Sequence, residues 1–257
     1  MNKHDQTAAE ITAWKGLNAY VYFLHFKKTI SYNFLCREEP YDDSTEALLN
    51  KEDRKAAEIA ASKSLGLPWI RYSEELHKSS QVFLDLWLPS ETLETQVAWI
   101  CVNNPRSAEF EDKSPDVGGL LDVWEQICDQ VHSQGPPTTS KIDKLAKEFN
   151  VLCGKWLVFV SSDEVDNIWG RIAKATLTGT LGYSAMVSPR KVKITASEHV
   201  ICVFNSDYTS MAEVNRVRDE LRLLGVKERI WYKPDVYTHC GIYRDNIWGI
   251  PASRYCS

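Results

Sequence analysis

One stretch of the sequence, residues 153–188, predicts its own secondary structure more clearly than the rest of the chain. An apolar, β-rich run at 155–160 leads into an acidic turn at 161–164, where carboxylates and hydroxyls favour a helix start. Apolar residues then recur at helical spacing: Val165, Ile168, Trp169, Ile172 and Ala173. Glycines at 179 and 182 end this helix before a second strand at 183–187. The pattern predicts a strand–helix–strand unit against which the other segments can pack.

The segments around this unit predict the fold class. From residue 95 onward we expect strands at 96–103, 155–160, 183–187, 191–195, 199–205 and 229–233. We expect helices at 118–131, 141–149 and 210–224, besides the helix that starts at the acidic turn 161–164 and ends at Gly179. Few repeats of β–α–β length occur, which favours an α+β fold: a curved antiparallel sheet with helices on one face. The other face of such a sheet is left for ligand or water. We expect 1–94 to be an N-terminal extension with one helix, at 44–64, packed on or trailing from a domain at 95–257.

Composition narrows the functional class. The formal charge of −5 argues against coating of nucleic acid by charge alone, although a local basic pocket remains compatible with it. Seven cysteines without a C-x-x-C pair, and six scattered histidines, indicate reduced thiols and no metal site. The longest apolar segment, 17–26, is about half of the ~20 residues that a membrane span requires. We therefore expect a cytoplasmic or nuclear protein with no membrane segment and no cofactor.

Several motifs occur in the order found in a known family. "QVAWICVN", "LLDVWEQI", "CGKWLVFV", "VDNIWGRIAKATLTG", "SAMVSPR" and "HVICVFNS" follow one another between residues 96 and 205. This order resembles the translation initiation factor 4E family, which binds mRNA caps. The chain resembles more closely a eukaryotic family named for basophilic leukaemia expressed protein, which has no established role. The motif Lys233-Pro234-Asp235 and the tail containing Tyr243 resemble that second family in particular.

The resemblance implies a binding face on the concave side of the sheet, with three long helices on the convex back. Family members hold a methylated guanine between two tryptophans, beside a carboxylate, and hold the phosphates with basic residues. Here the loop 103–115 contains only Phe110, and "KEFNVLCGKW" offers no Trp-Glu pair. We therefore expect a nucleotide, RNA 5′ end or other phosphate-bearing ligand, not cap recognition of the family's kind.

Basic and aromatic residues supply the candidate phosphate-binding set. Four residues are expected to hold phosphate on the concave face: Arg190, Lys191, Lys193 and His199. Four more are expected to line the far end of that face: Lys233, His239, Tyr243 and Arg244. Arginine suits bidentate phosphate contacts and lysine supplies a point charge. Two alternatives stay open: "SPRKVK" can be a solvated strand end, and the aromatic tail can serve only to cap the core.

The tryptophans divide by context into core and stacking candidates. Those on apolar faces of predicted elements are expected in the core: Trp99, Trp124, Trp156, Trp169 and Trp231. Those beside prolines or glycines are expected to be exposed, and with Phe110 they form the stacking candidates: Trp69, Trp87 and Trp248. Stacking on one aromatic ring contributes about 1–3 kcal/mol per base, so a single exposed ring suffices to matter.

Enzymatic signals are weak, and we expect no catalytic residue. "LGYSAM" places Ser184 as in a nucleophile elbow, but Met186 stands where the second glycine belongs. His239 and Cys240 are adjacent, without an assignable partner. The function hypothesis is therefore a non-catalytic binding module. The alternatives are a protein-interaction scaffold that docks partners on its helices, including 118–131, and a hydrolase or RNA-end-processing enzyme.

Overall fold

The computed structural model describes residues 50–62, 66–106, 114–192 and 198–257. Seven strands form one sheet: β1 (Trp69–Arg71), β2 (Trp99–Asn103), β3 (Gly154–Ser161), β4 (Ser184–Val187), β5 (Glu198–Asn205), β6 (Trp231–Pro234) and β7 (Tyr255–Cys256). The helices are α1 (Lys51–Ala61), α2 (Glu74–His77), α3 (Ser80–Leu86), α4 (Val117–Asp129), α5 (Val131–Gln134), α6 (Thr139–Glu148), α7 (Ser162–Leu177), α8 (Met211–Leu223) and α9 (Asp235–His239).

The sheet has the strand order β1-β2-β4-β5-β3-β6-β7 and confirms the predicted α+β class. All neighbours pair antiparallel except β1 and β2, which are parallel, so the sheet is mixed where an antiparallel one was expected. The predicted unit at 153–188 is confirmed as β3, α7 and β4. Helix α7 crosses the sheet in contact with β2, β3, β4 and β5, which makes this unit the centre of the fold.

The segment expected to be an extension contributes to the sheet and to the core. Trp69 pairs with Trp99 and Arg71 with Cys101, which places β1 beside β2. Phe83 and Trp87, in and after α3, are fully buried in the main hydrophobic cluster. The described part of 1–94 holds three helices, α1 to α3, where one was expected. Residues 69–88 are therefore integrated into the sheet domain.

Other elements follow the predicted order with changed bounds. The helix expected at 118–131 is divided into α4 and α5, with Gln130 between them. Met211, the first residue of α8, is 41% exposed and precedes the buried stripe of Val214, Val217 and Leu221. The strand expected at 191–195 falls largely outside the described residues.

A tyrosine ties together three central strands. Tyr232 of β6 donates a hydrogen bond of 2.6 Å from its hydroxyl to Asn205 Oδ1 on β5. Its ring passes over Gly154 of β3, where an added Cβ would lie 2.3 Å from the hydroxyl oxygen. Because only glycine leaves this space, Gly154 allows the buried bridge between β5 and β6 to cross β3.

Candidate functional site

The two faces of the sheet have different surroundings. Side chains alternate between faces along each strand, and directly paired residues share a face. Trp156, Val158 and Val160 of β3 therefore lie on the face covered by helices and are buried. Lys155 and Leu157 lie on the opposite face and are only partly buried. We call this second side, to which α7 and α8 do not contribute, the open face.

Aromatic rings occupy much of the open face. Three pairs stand out by their ring contacts: Trp69 with Trp99 at 6.2 Å, Phe159 with Trp231 at 5.5 Å, and Tyr183 with Phe204 at 6.2 Å between centroids. All but Phe204 are half-buried. Half-exposed rings present π-faces to which a flat ligand can be added, so this side of the sheet can support stacking.

Sulfur-containing side chains fill the middle of the open face. Met186 of β4 pairs with Cys101 of β2 on one side and with Cys202 of β5 on the other. Burial raises the pKa of Cys101 to about 11 and that of Cys202 to about 12. Both thiols therefore stay protonated at neutral pH and act as small apolar groups, not as nucleophiles.

A charged cluster lies at one end of the open face, where α9 follows β6. The Lys155 ammonium forms an ion pair with Asp235 Oδ1, and Thr238 Oγ1 lies 3.5 Å from the same nitrogen. Burial alone would lower the pKa of Lys155, but the Asp235 carboxylate outweighs burial and raises it. Likewise, burial would raise the pKa of Asp235, and the positive charge of Lys155 lowers it instead. This pair is ionised across the neutral range.

Lys233 stands directly opposite Lys155 in the register of β6 and β3. It is 6% exposed, and its Nζ lies 3.6 Å from the centroid of the Tyr243 ring. Burial first, and then the positive charge of Lys155, lower the pKa of Lys233 to about 7. The amine is therefore close to half protonated at neutral pH, unlike an ordinary surface lysine.

Further polar groups complete this cluster. The Cys153 thiol is hydrogen-bonded to the Tyr183 hydroxyl, and burial raises the pKa of both groups well above their ordinary values. Asp235 Oδ2 is buried and has no hydrogen-bond partner among the described residues. Burial also lowers the pKa of His239, which favours a neutral ring. The end of the open face thus holds a buried carboxylate oxygen that lacks a hydrogen bond from the described residues.

The predicted phosphate-binding residues fall at two separate ends of the sheet. Arg190 and Lys191 are exposed and follow β4 past the point where Ser188 pairs with Val200 of β5. Lys233 lies near the opposite end of the sheet, where Lys155 pairs with Phe204. From strand spacing and rise, the backbones of Arg190 and Lys233 are roughly 20 Å apart. A single phosphate group cannot touch both.

His199 does not join either group. It is fully buried on the helix-covered face, where its Nδ1 contacts the Ser188 carbonyl oxygen at 2.8 Å and its Nε2 contacts Ser162 Oγ at 2.9 Å. The alternation along β5 turns it away from the open face. Lys193 lies outside the described residues.

The C-terminal candidates separate in the same way. His239 lies within the electrostatic reach of Asp235 and Lys155, and Tyr243 covers the Lys233 amine. Arg244 is exposed beyond them, and the structure shows no contact that draws it into the cluster. Three of the four predicted residues at this end therefore come together with Lys155 and Asp235.

The predicted stacking residues lie in different environments in the structure. Trp69 is half-buried on the open face. Trp87, expected to be exposed, is fully buried, with its Nε1 donating to Glu58 Oε2 at 2.7 Å, so that expectation is wrong. Trp248 packs edge-on against Trp124 at 5.0 Å in the core, and Phe110 lies outside the described residues. Conversely, Trp99 and Trp231, expected in the core, supply half-exposed rings.

The groups considered for catalysis show no activated nucleophile. The Ser184 hydroxyl lies 2.8 Å from the side-chain amide of Asn103, and an amide cannot serve as a general base. Cys240 is buried, and burial raises the pKa of its thiol far above the ordinary value. A nucleophile needs an adjacent base or a lowered pKa, and neither Ser184 nor Cys240 has one in the described structure.

Sequence reasoning missed Lys155 and Asp235 as site residues. A signal was present: in "GKWLVFV" the period-2 alternation places Lys155 on the face opposite to Trp156, in the middle of an apolar run. Its partner could not be found this way, because pairing with β6 and the return of α9 depend on tertiary structure. No group of three His, Cys, Asp or Glu residues able to hold a metal occurs in the described ranges. None of the helices described could cross a membrane.

Comparison with known proteins supports part of the expected resemblance. Residues 125–241 match the model of the family described as "Basophilic leukemia-expressed protein Bles03", which confirms that resemblance over this range. Two similar solved structures are C. elegans eIF4E-3 in complex with the 4E-binding protein Mextli and a cap analog, and a schistosome eIF4E complexed with m7GpppA and 4E-BP. The first is 21% identical with a TM-score of 0.32, over 42% of this chain and 58% of that one. The second is 15% identical with a TM-score of 0.31, over 41% and 58%.

Proposed function

We propose that this protein is a non-catalytic binding module that takes a nucleotide, an RNA 5′ end or another phosphate-bearing ligand on the open face. One observation carries the proposal: half-exposed aromatic rings lie on this face between two basic ends, Arg190 with Lys191 and Lys233 with Lys155. Rings such as Trp99 and Trp231 offer stacking surfaces for a base, and the lysines and arginine offer charge for phosphate.

The charge distribution supports this assignment despite the acidic total. The chain carries a formal charge of −5, but the cluster at the α9 end contains two lysines and one carboxylate. Arg190 forms no ion pair with a described carboxylate, so its guanidinium is available to a ligand. A ligand that is both flat and anionic matches a surface that is both aromatic and locally positive.

Fluorescence titration tests this proposal directly. Cap analogue, guanine nucleotides and a short 5′-phosphorylated RNA are titrated against the wild type, Arg190→Ala, and Trp99→Phe combined with Trp231→Phe. We expect saturable quenching that weakens in Arg190→Ala and largely disappears in the double variant. The matched control is Lys147→Ala, which removes an exposed charge from α6. Absence of quenching by every ligand, or equal affinity in all variants, contradicts the proposal.

A second candidate is a protein-interaction scaffold that uses the helical side. A groove runs between α3 and α7, lined by Leu84, Leu88 and Gly170 with acidic and basic residues at its rim. Trp169 also lines it, and its buried Nε1 has no hydrogen-bond partner among the described residues. These features fit a peptide segment that brings an apolar side chain and a carbonyl oxygen.

A groove-filling variant distinguishes the two candidates. A Cβ at Gly170 would meet no atom within 4 Å, so Gly170→Arg is expected to fill the groove without unfolding α7. If the scaffold function holds, partners captured from cell extract are lost in Gly170→Arg and persist after RNase treatment. If the open-face function holds alone, the variant binds nucleotide like the wild type and loses no partner.

A further inference from the structure

The two lysines at the α9 end of the open face are unequally neutralised. Lys155 and Lys233 are directly opposite on neighbouring strands, where side chains start about 5 Å apart. Asp235 Oδ1 neutralises Lys155. Lys233 forms no ion pair or hydrogen bond with any described residue, although it is only 6% exposed. The charge of Asp235 raises the pKa of Lys233, but burial and the charge of Lys155 outweigh it.

The groups around Lys233 can be named element by element. Strand β3 contributes Lys155, β5 contributes the neutral thiol of Cys202, and α9 contributes Asp235 and His239. The segment after α9 contributes the ring of Tyr243. Asp235 is the one anion in this set, and its Oδ1 is paired with Lys155. Among these groups Lys233 therefore has no anion of its own.

Lys233 nevertheless has a route to solvent. Tyr243 is 44% exposed and forms the outer wall of the cluster, with its ring 3.6 Å from the Lys233 nitrogen. A cation held against an aromatic face is stabilised less than one held by an anion. An incoming anion that passes the edge of this ring can replace a weak contact by a strong one.

We propose that Lys233 binds a compact dianion, such as the terminal phosphate of a nucleotide or of an RNA 5′ end, and takes up a proton from solvent as the anion binds. This inference rests on the proposed function of the open face and assigns the phosphate-binding role to the end where α9 follows β6. Lys155 acts as a positioning residue, because it is paired with Asp235 and does not itself bind the anion. Its positive charge lowers the pKa of Lys233 while no anion is bound.

The direction of the pH dependence follows from the lowered pKa of about 7 in the free protein. Below pH 7 the amine is already charged, so binding takes up no proton. Above pH 7 the amine must take up a proton from solvent for the anion to bind, so affinity falls by up to about tenfold per pH unit. A phosphate monoester loses its second charge below about pH 6, whereas sulfate does not. Phosphate affinity should peak between these values, and sulfate affinity should form a plateau below pH 7.

Isothermal titration calorimetry with inorganic sulfate, inorganic phosphate and 5′-GMP tests the inference on the full chain. Each titration at pH 7 is repeated in two buffers that differ in ionisation enthalpy, which reports the number of protons exchanged. We expect uptake of about half a proton per sulfate ion in the wild type, and less for phosphate and 5′-GMP, whose own protons are released when they bind as dianions. Lys233→Met is expected to abolish this uptake and to weaken binding at least tenfold. Lys147→Met, on exposed α6, should match the wild type.

The outcomes separate this inference from the proposed function. If 5′-GMP binds with tryptophan quenching, but without proton uptake and equally well in Lys233→Met, the inference is overturned and the open-face function stands. If sulfate binds with Lys233-dependent proton uptake while no nucleotide quenches, the inference stands and the nucleotide function fails. If no anion binds at any pH between 6 and 9, both fail.

Discussion

The two faces of the same strands differ in what their side chains require. On the covered face, Trp156 is 1% exposed and its Nε1 donates to the Val214 carbonyl oxygen at 3.0 Å, so apolar area and hydrogen bonding are both satisfied. On the open face, Lys233 is 6% exposed and forms no ion pair with a described residue. The covered face therefore satisfies its buried groups within the fold, whereas the open face keeps a buried amine whose charge is only partly compensated by Asp235.

The largest loss of stability should come from removing a large buried side chain from the covered face. Trp156→Ala removes a fully buried indole beneath α8, and it should lower the free energy of unfolding by about 3–5 kcal/mol. Trp231→Ala, its counterpart on the open face, should cost about 1 kcal/mol because the ring is half-exposed. Urea denaturation at constant pH measures both. Equal losses would show that the open face contributes to the core as much as the covered face does.

A loss of similar size should follow from breaking the one satisfied ion pair of the open face. Lys155→Met leaves Asp235 buried without its partner, which should cost about 3–5 kcal/mol at neutral pH. The lowered pKa of Asp235 stabilises the fold above the ordinary aspartate pKa, and this contribution is lost as pH falls below about 4. The double variant Lys155→Met/Asp235→Leu should recover most of the loss. Denaturation at pH 7 and pH 3.5 checks the size and its direction.

Lys233→Met should change stability in the opposite direction. In the folded protein the pKa of Lys233 is lowered to about 7, so its charge opposes folding in full below pH 7. This penalty fades as pH rises from 7 to about 10.4, the ordinary lysine value. The variant should therefore gain about 1–4 kcal/mol at pH 6 and progressively less toward pH 10. Unfolding curves at pH 6, 8 and 10 measure the gain, and a loss at pH 6 would mean that Lys233 is already neutralised.

The smallest stability effect is expected at the other end of the open face. Arg190→Ala removes an exposed side chain and should alter the free energy of unfolding by less than about 0.5 kcal/mol. Affinity for 5′-phosphorylated RNA should nevertheless fall severalfold, because the guanidinium supplies phosphate contacts. Thermal denaturation and fluorescence titration on one preparation compare the two quantities. Unchanged affinity would limit the binding surface to the α9 end.

Local sequence patterns predicted most of the strands and helices, but the strand order of the sheet determines which side chains lie close together. The unit β3–α7–β4 was visible because alternation, acidic capping and helical spacing all agree within 36 residues of sequence, 153–188. Strand β1 was missed because three residues, Trp69–Arg71, are too few to show alternation. The distance between Arg190 and Lys233, which were expected at different ends of one face, depends on the strand order, which leaves no local trace in the sequence.

The exposure of the tryptophans was predicted from their neighbours in the sequence, and for Trp87, Trp99 and Trp231 this criterion failed. Proximity to proline suggested exposure for Trp87, but the turn after α3 folds the ring inward onto Glu58. An apolar neighbourhood suggested burial for Trp99 and Trp231, yet apolar side chains line both faces of these strands. Which face is covered depends on where the helices pack, and that is a property of the whole chain.

The crossing of Tyr232 over Gly154 fixes more than local packing. Shifting β3 by one residue against β6 would bring a side chain under the tyrosine ring and carry Lys155 round to the helices. Substituting Gly154 should therefore disturb the register of β3 against β6 and change the surroundings of the Lys233 amine. A mutational scan would report this position as intolerant, although it never meets a ligand.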